Sequence, residues 1–429
     1  EVAGSGSRIA DRQHHRHRVD PYYNPNFSLE DGWFKVHPRH VVLHRPDAVR
    51  ALFFSHNLAR QGAPLIFADI AINLKARYGI EPVAISPFDG PLKSIYAEHG
   101  IPVTIGHLSQ LPGAANEARP LEAAMRQLMR QHQAEVVVAN TILSFDVVHT
   151  ARQIGAPSIW AIHESEPCTH HFQNQPLTVQ KAALSCFQYP YRCVFAARAT
   201  REVYEILNRS DNFALTPYGL NPAVVEKGTA RWTRAAARRQ LSLADDEVVC
   251  LTLGTVCERK GQRDLPAALA RLGPAHATKI RLLIVGEQRP EYWAAMQADL
   301  AALAPALRAR IACLPETGDP ALYYRAADAF VCTSRIESYP VVILEAMAYG
   351  LPIVTTPVFG IYEQVRENIN AIFYQPGDTQ KLAEALQVLC DPVRRSVMAE
   401  QSPQVLDSLP SHDDMCEAYA TFIREAAFA

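Results

Sequence analysis

The chain has 429 residues, of which 48% are hydrophobic and 20% charged, with 42 basic residues against 44 acidic ones for a formal net charge of -2. That composition fits a folded globular protein and excludes disorder over most of the length, and the even charge leaves no electrostatic footprint for nucleic acid. The length exceeds what one hydrophobic core usually supports, so two domains are expected.

No run approaches about 18 consecutive apolar residues, so no transmembrane helix is expected. The nine cysteines are odd in number and form no Cys-x-x-Cys pair. That pattern fits buried thiols in a reducing cytosol better than a disulfide framework. The reading is a cytoplasmic protein, with peripheral contact at the inner membrane face left open.

Residues 1–40 stand apart as an N-terminal arm, partly flexible. Its first 25 residues are rich in His, Arg, Gly and Ser and lack an apolar period. His14, His15 and His17 read as a leader segment rather than a metal site. Tyr22, Tyr23, Phe27, Trp33 and Phe34 would pin the arm to the body.

From Val49 the pattern alternates strands and helices. Strands are expected over 49–55, 81–86, 102–105, 134–140 and 158–163. Between the first two, Pro64 opens a helix whose natural stop is Gly79. After a connecting region near 210–235 the alternation restarts, with strands over 247–254, 279–286, 329–334 and 352–356. Near-continuous apolar strands separated by helices predict two doubly wound parallel α/β domains facing across a cleft. Ligands in such sheets bind at the carboxyl ends of the strands.

The richest segment is 328–356. A strand ends at Ser334, a loop carries Arg335 to Tyr339, and Pro340 starts a helix that Gly350 ends. Glu337 then precedes the helix N-terminus and Glu345 lies one to two turns inside it. The N–H groups of Ser338, Tyr339, Val341 and Val342 around Pro340, with the helix dipole, suit an anion such as a diphosphate. The flanking carboxylates can accept hydroxyl hydrogen bonds. The bland alternative is an ordinary cap at Glu337 and a solvated Glu345. Against it, Glu345 sits among Leu344, Ala346 and Met347, where an unpaired carboxylate is costly.

The stretch from Ala327 through Thr356 resembles the Glu-x7-Glu signature of retaining glycosyltransferase family 4. The resemblance implies the GT-B fold of two Rossmann-like domains. An acceptor domain would span 41–218 and a donor-nucleotide domain 219–411. The helix 412–429, with Met415, Tyr419, Phe422 and Ala426 on one side, would pack back on the first domain. It implies that Glu337 contacts the donor sugar and Glu345 the ribose hydroxyls.

Three further segments carry weaker resemblances. In Gly254-Thr-Val-Cys-Glu-Arg-Lys-Gly-Gln262, Lys260 matches the Lys that clamps the diphosphate. Thr255 stands where the resembled family has an Arg, and Arg259 is a candidate substitute. The loop Ser55–Pro64, with Gly62, resembles the N-terminal glycine loop that meets donor phosphates, although a plain helix-start turn reads equally well. His163 matches a strand-end His in the acceptor cleft, with Glu164 placed to orient it. His163, Cys168, His170 and His171 lack a recognised zinc spacing, and no metal is expected.

Thr216–Asn221 resembles an interdomain turn. In 358–365 only Gly360 is kept of a glycine pair, Phe359 replacing the other, with Glu363 a structural or donor-side residue. The expected function is transfer of a hexose-type sugar from a nucleoside diphosphate sugar, as co-substrate, to a hydroxyl acceptor on a glycan or lipid carrier. The alternatives are a sugar-nucleotide epimerase of the same shape, or a catalytically silent binding domain.

Overall fold

A computed structural model describes residues 48–108 and 120–429. The arm and its histidines lie outside the described residues. Two all-parallel sheets organise the chain, as the continuous apolar strands require. The first runs in the order β3-β2-β1-β4-β5-β6-β7. Its strands are β1 Val49–Phe54, β2 Ile80–Ser86, β3 Val103–Ile105, β4 Val136–Asn140, β5 Ser158–Ile162, β6 Arg192–Phe195 and β7 Phe213–Leu215. The second runs β10-β9-β8-β11-β12-β13. It comprises β8 Val248–Leu253, β9 Ile280–Val285, β10 Ile311–Leu314, β11 Ala329–Cys332, β12 Ile353–Thr355 and β13 Ala371–Phe373. The fold is α/β, two doubly wound parallel sheets as expected.

Each sheet reverses its order of addition once. In the first, β1 pairs on one side with β2 (Leu52 opposite Val83) and on the other with β4 (Leu52 opposite Val137). In the second, β8 lies between β9 and β11, with Cys250 opposite both Leu282 and Ala329. Chains leaving neighbouring strands at these points diverge to opposite faces and open a crevice at the carboxyl ends. The first sheet therefore opens at β1/β4 and the second at β8/β11.

The segment 213–215, read from sequence as part of a connector, is instead strand β7. The helix His412–Phe428 begins with a reciprocal capping box between Ser411 and Asp414. Its buried stripe runs through Met415, Cys416, Tyr419, Ala420, Ile423 and Ala426, with Phe422 at the edge. It packs on the helix Gly62–Tyr78 and on β1, β4 and β5 of the first sheet. Polar ties reinforce this docking: His412 Nε2 lies 2.6 Å from Asp69 Oδ2, and Asn221 Nδ2 donates to Asp69 Oδ1 at 3.1 Å. All nine cysteines are unpaired, and no described helix is long and apolar enough to cross a membrane.

Candidate active site between the two sheets

The second sheet supplies two loops at its crevice. After β8, Gly254 (φ 140) and Gly261 (φ 67) take conformations that L side chains rarely adopt. A Cβ on Gly261 would stand 2.3 Å from Thr333 O, so only glycine lets this loop lie against the end of β11. Two hydrogen bonds seal the contact: Thr333 Oγ1 donates to Lys260 O at 2.7 Å and Arg335 N to Arg259 O at 2.8 Å. Lys260 and Arg259 are thereby aimed at the segment that holds Glu337.

Glu337 is 7% exposed. Its Oε1 is ion-paired with Lys260 Nζ and lies 3.1 Å from Arg259 NH1, while Ser334 Oγ donates to the same oxygen at 3.0 Å. Burial would push its pKa up, but the Lys260 and Arg259 charges and the hydrogen bonds outweigh it and hold it below the usual value. Glu337 is therefore a buried, ionised acceptor. Arg259 also donates to Ile336 O at 3.2 Å, so it faces the same place as Lys260. Thr255 contributes its carbonyl to Gln262 Nε2 at 2.9 Å.

The helix Val341–Ala348 follows, with Pro340 at its N-cap and no side chain capping it. Ser338 and Tyr339 are buried. Glu345 is half-buried, and Tyr324 OH donates to its Oε2 at 2.7 Å. Tyr324 in turn stacks on Tyr349, with ring centroids 5.2 Å apart and planes 8° apart. Burial raises the Glu345 pKa to about 7 against the opposing hydrogen bond from Tyr324. The two carboxylates eight residues apart thus have different chemistry: one fixed as an anion, the other balanced between forms near neutral pH.

The first sheet faces this with a cluster of polar groups. The His163 ring bonds Tyr218 OH through Nδ1 and Asn140 Oδ1 through Nε2. Since Asn140 Nδ2 points to Ala63 O at 3.4 Å, Oδ1 is the acceptor and the proton is assigned to Nε2. Burial pushes the His163 pKa down to about 3, with His56 adding to the shift, so the ring is neutral. Glu164 does not orient the ring. Its Oε2 accepts Ile142 N and His163 N, both at 3.0 Å, and so fixes the backbone beyond β4 and β5. Burial raises its pKa to about 7.

His56, one loop over at the end of β1, is half-buried, and its pKa is lowered to about 4 by desolvation. Its Nδ1 is shielded and has no hydrogen-bond partner. Gly62, the first residue of the helix that follows this loop, is exposed, and a Cβ there would meet nothing within 4 Å. Among the described residues no group of three or more His, Cys, Asp or Glu is arranged to hold a metal ion.

The halves touch across the crevice. Ser165 Oγ donates to Glu337 O at 3.0 Å, Thr200 Oγ1 to Ser338 Oγ at 3.1 Å, and Gln61 Nε2 to Glu287 Oε2 at 3.3 Å. The Glu363 carboxylate accepts Arg198 N at 3.0 Å and Ala199 N at 2.8 Å, so it bridges the two halves. Gly360 lies so close that a Cβ would stand 1.8 Å from Ser338 O and 2.6 Å from Ala197 Cβ. Its neighbour Phe359 takes a left-handed φ of 45° at the position where a glycine was expected. Lys260, Arg259 and Glu337 are brought together; His163 stands on the opposite wall; Glu345 belongs to a separate aromatic cluster. His56 and Tyr218 lie in the segments 55–64 and 216–221 without standing out there, and Asn140 and Tyr324 are distant in the chain from the His163 and Glu345 side chains they bond.

Residues 247–391 match the family described as Glycosyl transferases group 1. Among curated proteins, a D-inositol 3-phosphate glycosyltransferase of Geodermatophilus obscurus is 28% identical over 321 residues, covering 67% of this chain and 68% of that one. A glycogen synthase of Mycobacterium tuberculosis is 35% identical over 42% of each chain. Several other curated relatives are matched over about half their length. Among solved structures, Anabaena HepE in complex with UDP and glucose superposes with a TM-score of 0.72 at 20% identity, over 87% of this chain and 98% of that one. Residues 247–391 therefore carry a domain similar to the group 1 glycosyltransferases, within a chain of GT-B fold.

Proposed function

We propose that the protein transfers a sugar from a nucleoside diphosphate sugar to a hydroxyl acceptor with retention of anomeric configuration, as family 4 enzymes do. The observation that supports this most is the convergence of Lys260 and Arg259 on Glu337 at the β8/β11 crevice. A diphosphate entering there exchanges one anionic partner of the two cations for another. Glu337, released from them, accepts hydroxyl hydrogen bonds of the donor sugar. Glu345 does the same for the ribose.

As the bond between the anomeric carbon and the phosphate oxygen breaks, negative charge grows on the leaving diphosphate. Lys260 and Arg259 stabilise it from fixed positions, where water reorganisation costs nothing. The acceptor oxygen bonds the anomeric carbon on the face the diphosphate leaves, and its proton passes to the departing phosphate oxygen. The two cations supply the charge stabilisation that a divalent ion supplies elsewhere, so turnover is proposed to be metal-independent and insensitive to EDTA. The solved neighbours include complexes with UDP and with UDP-glucose, which makes UDP-glucose the donor to test first. The acceptor hydroxyl, on a glycan or lipid carrier, would enter at the β1/β4 crevice of the first sheet.

The test is release of UDP from UDP-glucose, with the product's anomeric configuration read by NMR. Lys260→Ala and Glu337→Ala should each lose turnover while keeping the native circular dichroism spectrum. Near-normal turnover in both, or an inverted product, would overturn this reading.

A further inference from the structure

The residue expected from sequence to meet a sugar is His163, yet both of its ring nitrogens are already bonded, to Tyr218 and Asn140. To bond a ligand, the ring would have to give up one of these partners. The neighbouring imidazole is in the opposite condition. His56 follows the carboxyl end of β1, and Asn140 ends β4. These are the strands between which the first sheet changes direction, so His56 stands in the crevice where ligands of such sheets bind.

His56 Nδ1 is shielded and unpartnered, and no hydrogen bond satisfies the ring from within the described residues. Buried polar atoms in native proteins are rarely left so, and one that is calls for an explanation such as an absent partner. The ring is half-buried and neither nitrogen is hydrogen-bonded within the described residues, so a hydroxyl in the crevice can supply the missing partner. Packing alone would be better served by an apolar ring, since an imidazole without partners pays desolvation for nothing.

We propose that His56 is the imidazole that hydrogen-bonds a sugar hydroxyl in the cleft, His163 serving to position Tyr218 and Asn140 around it. The inference rests on the glycosyltransferase reading above. The ring is neutral at working pH, so it acts as a hydrogen-bond partner and not as a charge. The hydroxyl belongs either to the transferred sugar or to the acceptor, and the two sources separate experimentally.

The variants are His56→Phe, which keeps the ring and removes both nitrogens, and His56→Gln, which restores a polar end. UDP and UDP-glucose affinities are measured by calorimetry. UDP release from UDP-glucose is followed with and without inositol 3-phosphate and a maltooligosaccharide as acceptor probes. If the contact is to the transferred sugar, His56→Phe weakens UDP-glucose about fivefold, one neutral hydrogen bond, and leaves UDP unchanged. If it is to the acceptor, both affinities hold while the acceptor KM rises by about the same factor. In either case His56→Gln recovers part of the loss, which a purely structural role would not show. The proposal falls if His56→Phe matches wild type in UDP-glucose affinity and in UDP release under every condition. Wild-type protein that binds neither UDP nor UDP-glucose would instead defeat the underlying glycosyltransferase reading.

Discussion

Replacing Glu337 by Gln removes one negative charge from a site where two cations are aimed at it. Breaking a buried pair typically costs about 3–5 kcal/mol, mostly through the charge left behind. Here the cost should be smaller, roughly 1–3 kcal/mol, because the Arg259 side chain is 47% exposed and can return to water. Lys260, at 16%, cannot do so as easily. The consequence for ligands is opposite in sign. Bare UDP no longer competes with a carboxylate for the cations, and one charge-assisted hydrogen bond is worth about 1.5–3 kcal/mol. Its affinity should therefore rise, by about tenfold for 1.4 kcal/mol.

Turnover of UDP-glucose should fall by about 10²–10³-fold, as when one fixed transition-state contact is lost. Acid sensitivity supplies an independent check. A carboxylate held below its ordinary pKa of 4.5 stabilises the fold above that value and loses the effect as pH falls through the folded value. Urea titrations from pH 7 to pH 3 should show a smaller loss in Glu337→Gln than in wild type. Calorimetry on UDP decides the case. Weaker UDP binding in Glu337→Gln would show that the carboxylate organises the cations rather than occupying them.

Four other perturbations test the surroundings. Tyr324→Phe removes the donor to Glu345, which should cost about 1–2 kcal/mol in chemical denaturation and raise the UDP-glucose KM. Since burial lifts Glu345 to about 7, UDP affinity in wild type should strengthen as pH rises through that value, an effect absent in Glu345→Gln. For His412, burial lowers the pKa but the Asp69 hydrogen bond and charge, with Cys416, outweigh it and raise it to about 10. The stabilisation is complete below about 6.5 and is lost as pH climbs toward 10, so Asp69→Asn should flatten the decline in Tm over that window. Gly360→Ala puts a methyl into Ser338 O. It should abolish turnover while each half retains its helical signal, and wild-type activity would contradict the close approach.

The β-α alternation was legible because parallel strands buried on both faces are long apolar runs, as at Val49–Phe54 and Val136–Asn140. What escaped were short or half-exposed strands at or near the sheet edges. β7 has three residues, none fully buried, and β10 has four half-buried ones, so neither carries an apolar signature. The Glu337 segment could be found because its strand end, loop, helix start and second carboxylate follow one another without interruption in the chain. The role of Arg259 could not, since its direction depends on Gly261 lying against Thr333. The Glu164 reading failed for a related reason: a carboxylate next to a histidine in sequence was taken as its partner. The strand end turns it toward the backbone of Ile142, and the ring finds Tyr218, 55 residues away.

The chain passes between its halves near Tyr218-Gly219 and again just before the last helix. These passages are in contact: a Cβ on Gly219 would stand 2.1 Å from His412 N. Two crossings pressed together behave like the paired pins of a door, permitting rotation about one line and suppressing sideways drift. The pin carries its own sensor. Tyr218 holds the His163 ring on one side and meets Tyr339 edge-on, 6.1 Å away, on the other. Any swing of the halves must therefore change how these three rings sit, so opening the cleft and disassembling the wall around His163 become one event.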